Sequence, residues 1–434
     1  MILVQEKEKQ TRENIQSKAV EFSKLYHYII LQYPTGLGKS FTMIQIFDLL
    51  YQQNKEISCL ILMPEIALID TLRKEFLKFG REYLLANTEI ICYASLHKVD
   101  KEYDIIIADE MHHTFSDIRK ENLSNFNPKY FIGLSATVDD WKIRQLEGIF
   151  RREFFVHRVT LSDAIKWGIL PAPKIGAFVL KLNDKDINCS YEFVRGKKEN
   201  RVEIICEKES DKWRYIKDKK NYPNLKLIVK CTQRQKYNFL ENQSDYYRDK
   251  YSESIEILEN KHKLDSNIEV KDDYKKHKWL YSELCIKRFL SEIKTPYLNE
   301  FLKDLNGLRY IVFLGSVNQA IELAKNNNGN AISSKEKESL QIIERFLNKE
   351  IDNLYCVNML QEGANLTDIE VAVLGQLDSS KRAFIQKIGR SLRSRYPEIY
   401  IFYFEGTKDE EYLNKSISHI GKEYIQYLDY FYVV

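Results

Sequence analysis

Ten consecutive residues, Tyr33-Pro-Thr-Gly-Leu-Gly-Lys-Ser-Phe-Thr42, constrain this chain more than any other stretch. An apolar run (Tyr28, Ile29, Ile30, Leu31) precedes them, and apolar residues at helical spacing (Met43, Ile44, Ile46, Phe47, Leu49, Leu50) follow. The pattern reads as strand, glycine turn, helix. In such a turn, successive main-chain N–H groups point inward and the helix N-terminus adds partial positive charge, so the loop can wrap a polyphosphate. Lys39 would then reach the β- and γ-phosphates and the Ser40 hydroxyl would ligate Mg²⁺. Pro34, Thr35, Gly36, Gly38, Lys39, Ser40 and Phe41 form the expected nucleotide-binding set. The full G-x-x-x-x-G-K-[ST] pattern is not met, because Tyr33 occupies the first glycine position.

The 434 residues exceed what one core organises, so two or three domains are expected. With 44% apolar and 30% charged residues, the chain reads as soluble and globular. No apolar stretch approaches the roughly 18 to 20 residues that span a bilayer, and the first residues lack the apolar segment of a secretion signal. No membrane partner and a cytoplasmic location are therefore expected. Seven cysteines (59, 92, 189, 206, 231, 285, 356), scattered and never in C-x-x-C pairs, read as buried free thiols in a reducing compartment. A net charge of +3 neither supports nor excludes a nucleic-acid partner.

Residues 1 to 170 alternate strand-like and helix-like segments, the pattern of a parallel α/β sheet. Strands are expected at Cys59–Met63, Glu89–Cys92, Tyr103–Ala108 and Tyr130–Leu134, as short apolar runs buried on both faces. A second series runs through Tyr310–Leu314, Leu354–Val357, Val371–Leu374 and Ile399–Tyr403. The fold class is thus α/β, with two lobes meeting near Gly168–Pro173: one over 1–170 and a second over 171–434. The second carries a mostly helical accessory insertion at about 180–295. Within it, Tyr191 to Cys206 reads as a β-hairpin with a basic tip at Gly196-Lys-Lys198. Thr232 to Gln235 fits a capping box, and Thr295-Pro296 reads as a cap with an N1 proline. The mixed Lys and Glu of the insertion read as a solvated helix face.

The strand Ile105–Ala108 ends in Asp109-Glu-Met-His112. A carboxylate at the end of a strand neighbouring the phosphate loop can hold Mg²⁺, which assigns Asp109. A second can orient and deprotonate water, which assigns Glu110. His113 reads as an ordinary packing or surface histidine. Ser135 and Thr137, at another strand end, offer hydroxyls to the acidic turn and to the facing lobe. Gln386-Lys-Ile-Gly-Arg390-Ser-Leu-Arg393 falls on a helical pattern that sets Arg390 and Arg393 on one face. Across a cleft from a γ-phosphate, such guanidiniums act as arginine fingers.

The order of these strings resembles the superfamily 2 helicases of the DEAD/DEAH-box type, closest to the helicase subunits of type I and III restriction enzymes and phage-encoded helicases. Pro34–Ser40 looks like motif I, Asp109–His112 like motif II with Met111 for alanine, and Ser135–Thr137 like motif III. Leu62-Met-Pro64 resembles motif Ia, Tyr93–Leu96 the following strand-end motif, Phe313–Ser316 motif IV, Glu362–Leu366 motif V, and Gln386–Arg393 motif VI. Arg12 and Gln16 resemble the upstream adenine-contacting element. The resemblance implies two RecA-like P-loop lobes with ATP and Mg²⁺ between them and a nucleic-acid strand across both. It implies that Gln386, Arg390 and Arg393 join Lys39, Asp109 and Glu110 in catalysis. His112, Ser135 and Thr137 would couple nucleotide to strand, and Pro64, Ser95, Gly315 and Gly363 would lie along its backbone. An ATP-dependent helicase or translocase is the function implied, with DNA ahead of RNA as the track. The core chemistry is possible in a monomer. The alternative is a nucleic-acid-gated ATPase subunit of a larger restriction, defence or phage-replication complex, without processive unwinding.

Overall fold

Runs of four or five apolar residues become strands covered on both faces, and two parallel sheets are built from them. The computed structural model describes residues 10–264, 270–333, 338–357, 369–377, 397–417 and 420–429. After α1 (Arg12–Leu25) come β1 (Tyr28–Gln32), α2 (Lys39–Gln53), β2 (Cys59–Met63), α3 (Ala67–Lys78) and β3 (Thr88–Cys92). Then follow β4 (Ile105–Ala108), α4 (Asp117–Leu123), β5 (Tyr130–Ser135), α5 (Asp140–Phe150), β6 (Phe155–Arg158) and α6 (Leu161–Lys166). The first sheet has the order β3-β2-β4-β5-β1-β6, with every pairing parallel. Alternation along β1 serves two cores. Ile29 and Leu31 meet α1 and α2 through Ile15, Ala19, Met43 and Phe47. Tyr28 and Ile30 meet α5 through Ile143, Leu146 and Phe150.

Pro171-Ala-Pro173 leads from α6 into β7 (Lys174–Leu180), a strand of the second sheet. Next come β8 (Cys189–Arg195), β9 (Val202–Cys206), α7 (Lys212–Lys217), β10 (Leu225–Cys231), α8 (Gln233–Leu264), α9 (Asp273–Glu292) and α10 (Thr295–Lys303). The remainder is β11 (Tyr310–Leu314), α11 (Val317–Asn326), β12 (Asn330–Ser333), α12 (Ser339–Leu347), β13 (Asn353–Val357), β14 (Val371–Leu374), β15 (Glu398–Phe404), α13 (Lys408–Ile417) and β16 (Ile425–Asp429). Their sheet, β12-β13-β11-β14-β15-β7-β16, is again parallel throughout.

The insertion differs from its sequence reading in two places. The strands β8 and β9 do not pair as a hairpin, because β10 lies between them, antiparallel to β8 and parallel to β9. Thr295 is not a cap: it is the first residue of α10, whose N-cap is Lys294, with Pro296 in the first turn. The capping box is present, with Thr232 N donating to Gln235 Oε1 at 3.0 Å and Gln235 N to Thr232 Oγ1 at 3.2 Å. Helices α8 and α9 pack antiparallel, Ser244 beside Glu283 and Tyr251 stacked on Trp279. Their base is tied to the second sheet by Lys408, which pairs with Glu283 and donates its N–H to Tyr237 at 3.0 Å. The seven cysteines are free thiols, with Cys189 and Cys285 half-buried rather than buried. Among the described residues no helix is long and apolar enough to cross a membrane.

Candidate nucleotide site

Gly36 (φ +91°) and Gly38 (φ +87°) take left-handed conformations that let the loop turn tightly between β1 and α2. A Cβ on Gly38 would come within 2.5 Å of Gln16 Nε2, so α1 leaves no room for a side chain there. Gln16 is buried, and its amide donates to the Leu37 carbonyl at 3.0 Å. Sequence reading gave Gln16 an adenine contact, whereas its amide here braces the loop; Arg12, one turn earlier on α1, is exposed. Tyr33 is fully buried, its N–H donating to the Ser135 carbonyl at 3.0 Å. Its hydroxyl lies 2.6 Å from His157 Nδ1. Pro34 is buried, and Phe41 packs edge-on against Phe79 at 4.8 Å.

The acidic turn leaves β4, which neighbours β2 and β5 rather than β1, so the carboxylates stand one strand further from the loop strand than the sequence suggested. Side-chain length closes the gap: Lys39 Nζ lies 3.1 Å from Glu110 Oε1. Glu110 has φ +42°, a left-handed conformation uncommon outside glycine and of the kind that collects at functional sites. Burial opposes ionisation of Glu110, but the Lys39 ammonium and His112, whose Nδ1 stands 3.4 Å from Oε2, hold its carboxyl below the usual range. Burial and the adjacent Glu110 charge push the Asp109 carboxyl up instead. Asp109 Oδ1 accepts from Glu110 N at 3.0 Å, and its carbonyl accepts from Tyr93 Oη at 2.8 Å. A half-buried carboxylate disfavoured by its surroundings, together with the serine in the first turn of α2, fits the donor set of a hard divalent cation.

Of the residues expected to couple nucleotide to strand, Ser135 departs from expectation. Its hydroxyl is spent locally, donating to the Thr137 carbonyl at 2.7 Å and accepting from Thr137 N at 3.3 Å, so it does not bond the acidic turn. His113 is a packing histidine, stacked on Tyr93 and braced by Arg119, which donates to its carbonyl at 2.9 Å. Pro64 follows β2 and its carbonyl accepts from the Cys92 thiol at 3.2 Å; Ser95 lies half-buried in a turn after β3. Gly315, after β11, donates its N–H to Ser291 Oγ at 3.0 Å. Gly363, Gln386, Arg390 and Arg393 lie outside the described residues. Sequence reading missed the supports His157 and Leu170, which packs against Gly36; they come from distant segments and carry no local signal.

Comparison with known proteins agrees with this fold. The family model of the type III restriction enzyme res subunit matches residues 4–96 and 90–140, and that of the helicase conserved C-terminal domain matches 293–395. The chain is 23% identical over 402 residues to the DNA 3'-5' translocase XPB2 of Sulfurisphaera tokodaii, covering 88% of this chain and 78% of that one. Its fold matches S. cerevisiae Dbp5 bound to RNA and ADP BeF3 at a TM-score of 0.57, with 11% identity, over 96% of this chain and 90% of Dbp5. It matches the type ISP restriction-modification enzyme LlaBIII bound to DNA at 0.53, with 12% identity, over 98% of this chain but 31% of that one. The two parallel sheets are therefore tandem RecA-like lobes, and helicase families imply the use of ATP. The nucleic-acid-gated switch without unwinding is not favoured by these matches. This chain is a superfamily 2 helicase related to the helicase subunits of restriction enzymes, an ATP-hydrolysing enzyme that works on nucleic acid.

Proposed function

We propose that the chain hydrolyses ATP between the phosphate loop and the acidic turn and uses the cycle to move on DNA. The carrying observation is the 3.1 Å approach of Lys39 Nζ to Glu110 Oε1, which supports a site where phosphate-binding and water-activating groups act together. On ATP binding, the Lys39 ammonium exchanges Glu110 for the β- and γ-phosphates, and the main-chain N–H groups of Gly36 to Ser40 cradle them. Glu110, released and ionised, takes a proton from the water that attacks the γ-phosphorus, while the bond to the ADP oxygen breaks. Ser40 and Asp109 would hold Mg²⁺, which supplies charge neutralisation at the phosphoryl oxygens when bound. By the motif resemblance, Gln386, Arg390 and Arg393 complete the charge from the second lobe. Closure and reopening of the lobes would then alternate the grip on the strand at Pro64, Ser95, Gly315 and Gly363, with His112, Ser135 and Thr137 relaying the nucleotide state.

DNA is favoured over RNA because the similar XPB2 is a DNA 3'-5' translocase. The test is ATP turnover with single-stranded DNA, duplex DNA and RNA across a salt series, together with strand displacement on forked DNA. Salt-sensitive stimulation by DNA above RNA is expected. Turnover indifferent to every nucleic acid would overturn the reading.

A further inference from the structure

We propose that the outward face of α9 is a second binding surface for single-stranded nucleic acid, separate from the motifs along the two lobes; it rests on the function proposed above. The helix buries Ser282, Ile286 and Phe289 on one side. At helical spacing on the other side stand Tyr274, His277, Lys278, Tyr281, Leu284 and Arg288, a continuous stripe about 21 Å long at 1.5 Å per residue. Tyr274 and Tyr281 are 68% and 64% exposed, two turns apart on one face, so both rings are presented to solvent. Lys278 Nζ sits 4.5 Å from the Tyr274 ring and 5.6 Å from that of Tyr247, so cation and rings already form one amphipathic patch.

The charge is one-sided. From Tyr274 to Arg288 the sequence holds five lysines and arginines, one histidine and a single carboxylate. That carboxylate, Glu283, is turned inward and spent on Ser244, Lys408 and Tyr412. On the neighbouring α8, Arg248 and Lys250 are paired with Asp245 and Glu253, and at the start of α9 Lys275 is paired in the same way with Asp272. Exposed rings interleaved with cations, with no exposed acid between, is the chemistry of a surface that stacks bases and tracks phosphates. Position adds to it. The base of the α8–α9 pair is fixed on the second lobe through Lys408, so the stripe is carried on that lobe.

The full chain, without nucleotide, is titrated with fluorescent oligothymidylate and, separately, oligouridylate across a salt series. Tyr274→Ala combined with Tyr281→Ala should weaken binding about tenfold or more. Lys278→Ala combined with Arg288→Ala should reduce the slope of log affinity against log salt by about 1.4, at 0.7 per lost phosphate contact. A merely structural role would not move that slope. Cross-linking of the unaltered chain to an iodouracil-bearing strand should give adducts at Tyr274 or Tyr281, a readout that needs no variant to fold. Unchanged affinity and slope, with adducts confined to the two lobes, overturns the stripe while nucleic-acid-stimulated turnover leaves the proposed function standing. Absence of stimulation in the unaltered chain would remove the proposed function itself.

Discussion

Gln16 Nε2 donates to the Leu37 carbonyl across 3.0 Å, so α1 carries the crest of the phosphate loop. Gln16→Glu would set a carboxylate oxygen against that carbonyl and leave it without its donor, at a cost of about 1–3 kcal/mol. The expected result is a roughly tenfold or larger rise in KM for ATP with the fold intact, read by steady-state kinetics beside a melting curve. Gly38→Ala should be worse, since the new Cβ meets the same amide at a left-handed φ. An unchanged KM in Gln16→Glu would show that the loop holds its shape without α1.

Lys39 and Glu110 divide binding from chemistry. Lys39→Ala should abolish ATP turnover. Glu110→Gln keeps the shape of the acidic turn and should still bind ATP, yet slow hydrolysis by on the order of 10²-fold or more, the scale of a general base. Arg390→Ala should cost about 10³-fold or more if that guanidinium is a finger. Single-turnover hydrolysis beside equilibrium ATP binding separates the cases, and near-normal turnover in Lys39→Ala would refute the phosphate-loop assignment.

What the sequence discloses follows from how local each signal is. Strands β1, β2, β4, β5, β11, β13 and β14 are apolar but for a terminal Gln32, Ser135 or Asn353, because both faces are covered, so composition alone marks them. Phe155–Arg158, Asn330–Ser333 and Ile425–Asp429 lie at or near sheet edges, mix polar with apolar residues, and go unread for that reason. Val202–Cys206 reads well as a strand but its partner does not, since nothing between β8 and β9 announces that Leu225–Cys231 will slip between them. The candidate site shows the same division. Lys39, Asp109 and Glu110 stand in strings whose spacing is the signal, whereas Gln16 against Leu37 and Tyr33 against His157 are set by tertiary packing.

Tyr33 and His157 supply a pH dependence. Burial raises the Tyr33 phenol, which stays protonated and donates, so His157 Nδ1 must accept as neutral imidazole. Burial also lowers His157 from its ordinary value near 6.5. The unfolded chain therefore binds a proton at a pH where the folded chain does not. The stabilising contribution is complete above about 6.5 and declines as pH falls from there toward the folded value. Denaturant midpoints between neutral and mildly acid pH should drop less in His157→Asn than in the unaltered chain; parallel curves would assign the decline to other groups.

Met111 and Gly133 form a matched pair in the first lobe. Met111 stands where the resembling motif has alanine, and its sulfur would lie 2.7 Å from a Cβ on Gly133. Gly133→Ala should destabilise by about 1–3 kcal/mol through overpacking. Met111→Ala alone should cost about 2–5 kcal/mol as a cavity. Together they should cost clearly less than the sum, because each vacates what the other needs. Additive losses in urea denaturation would mean that the sulfur moves aside freely.

The second lobe rests on an ion pair with no exposure to water. Lys294 Nζ lies 2.5 Å from Asp409 Oδ2 and donates to the Gly375 carbonyl at 2.9 Å, joining the start of α10, the loop after β14 and the start of α13. Burial drives the Lys294 pKa down, and the Asp409 charge opposes that fall without reversing it. Lys294→Met would leave Asp409 as a buried charge with its partner gone, a loss of about 3–5 kcal/mol. Replacing both, Lys294→Met with Asp409→Leu, removes the stranded charge along with the bridge and should recover most of that loss. Denaturation curves of the two variants decide it: recovery in the double variant assigns the loss to an uncompensated charge. Equal losses in both would assign it to the geometry the bridge imposes on α10 and α13.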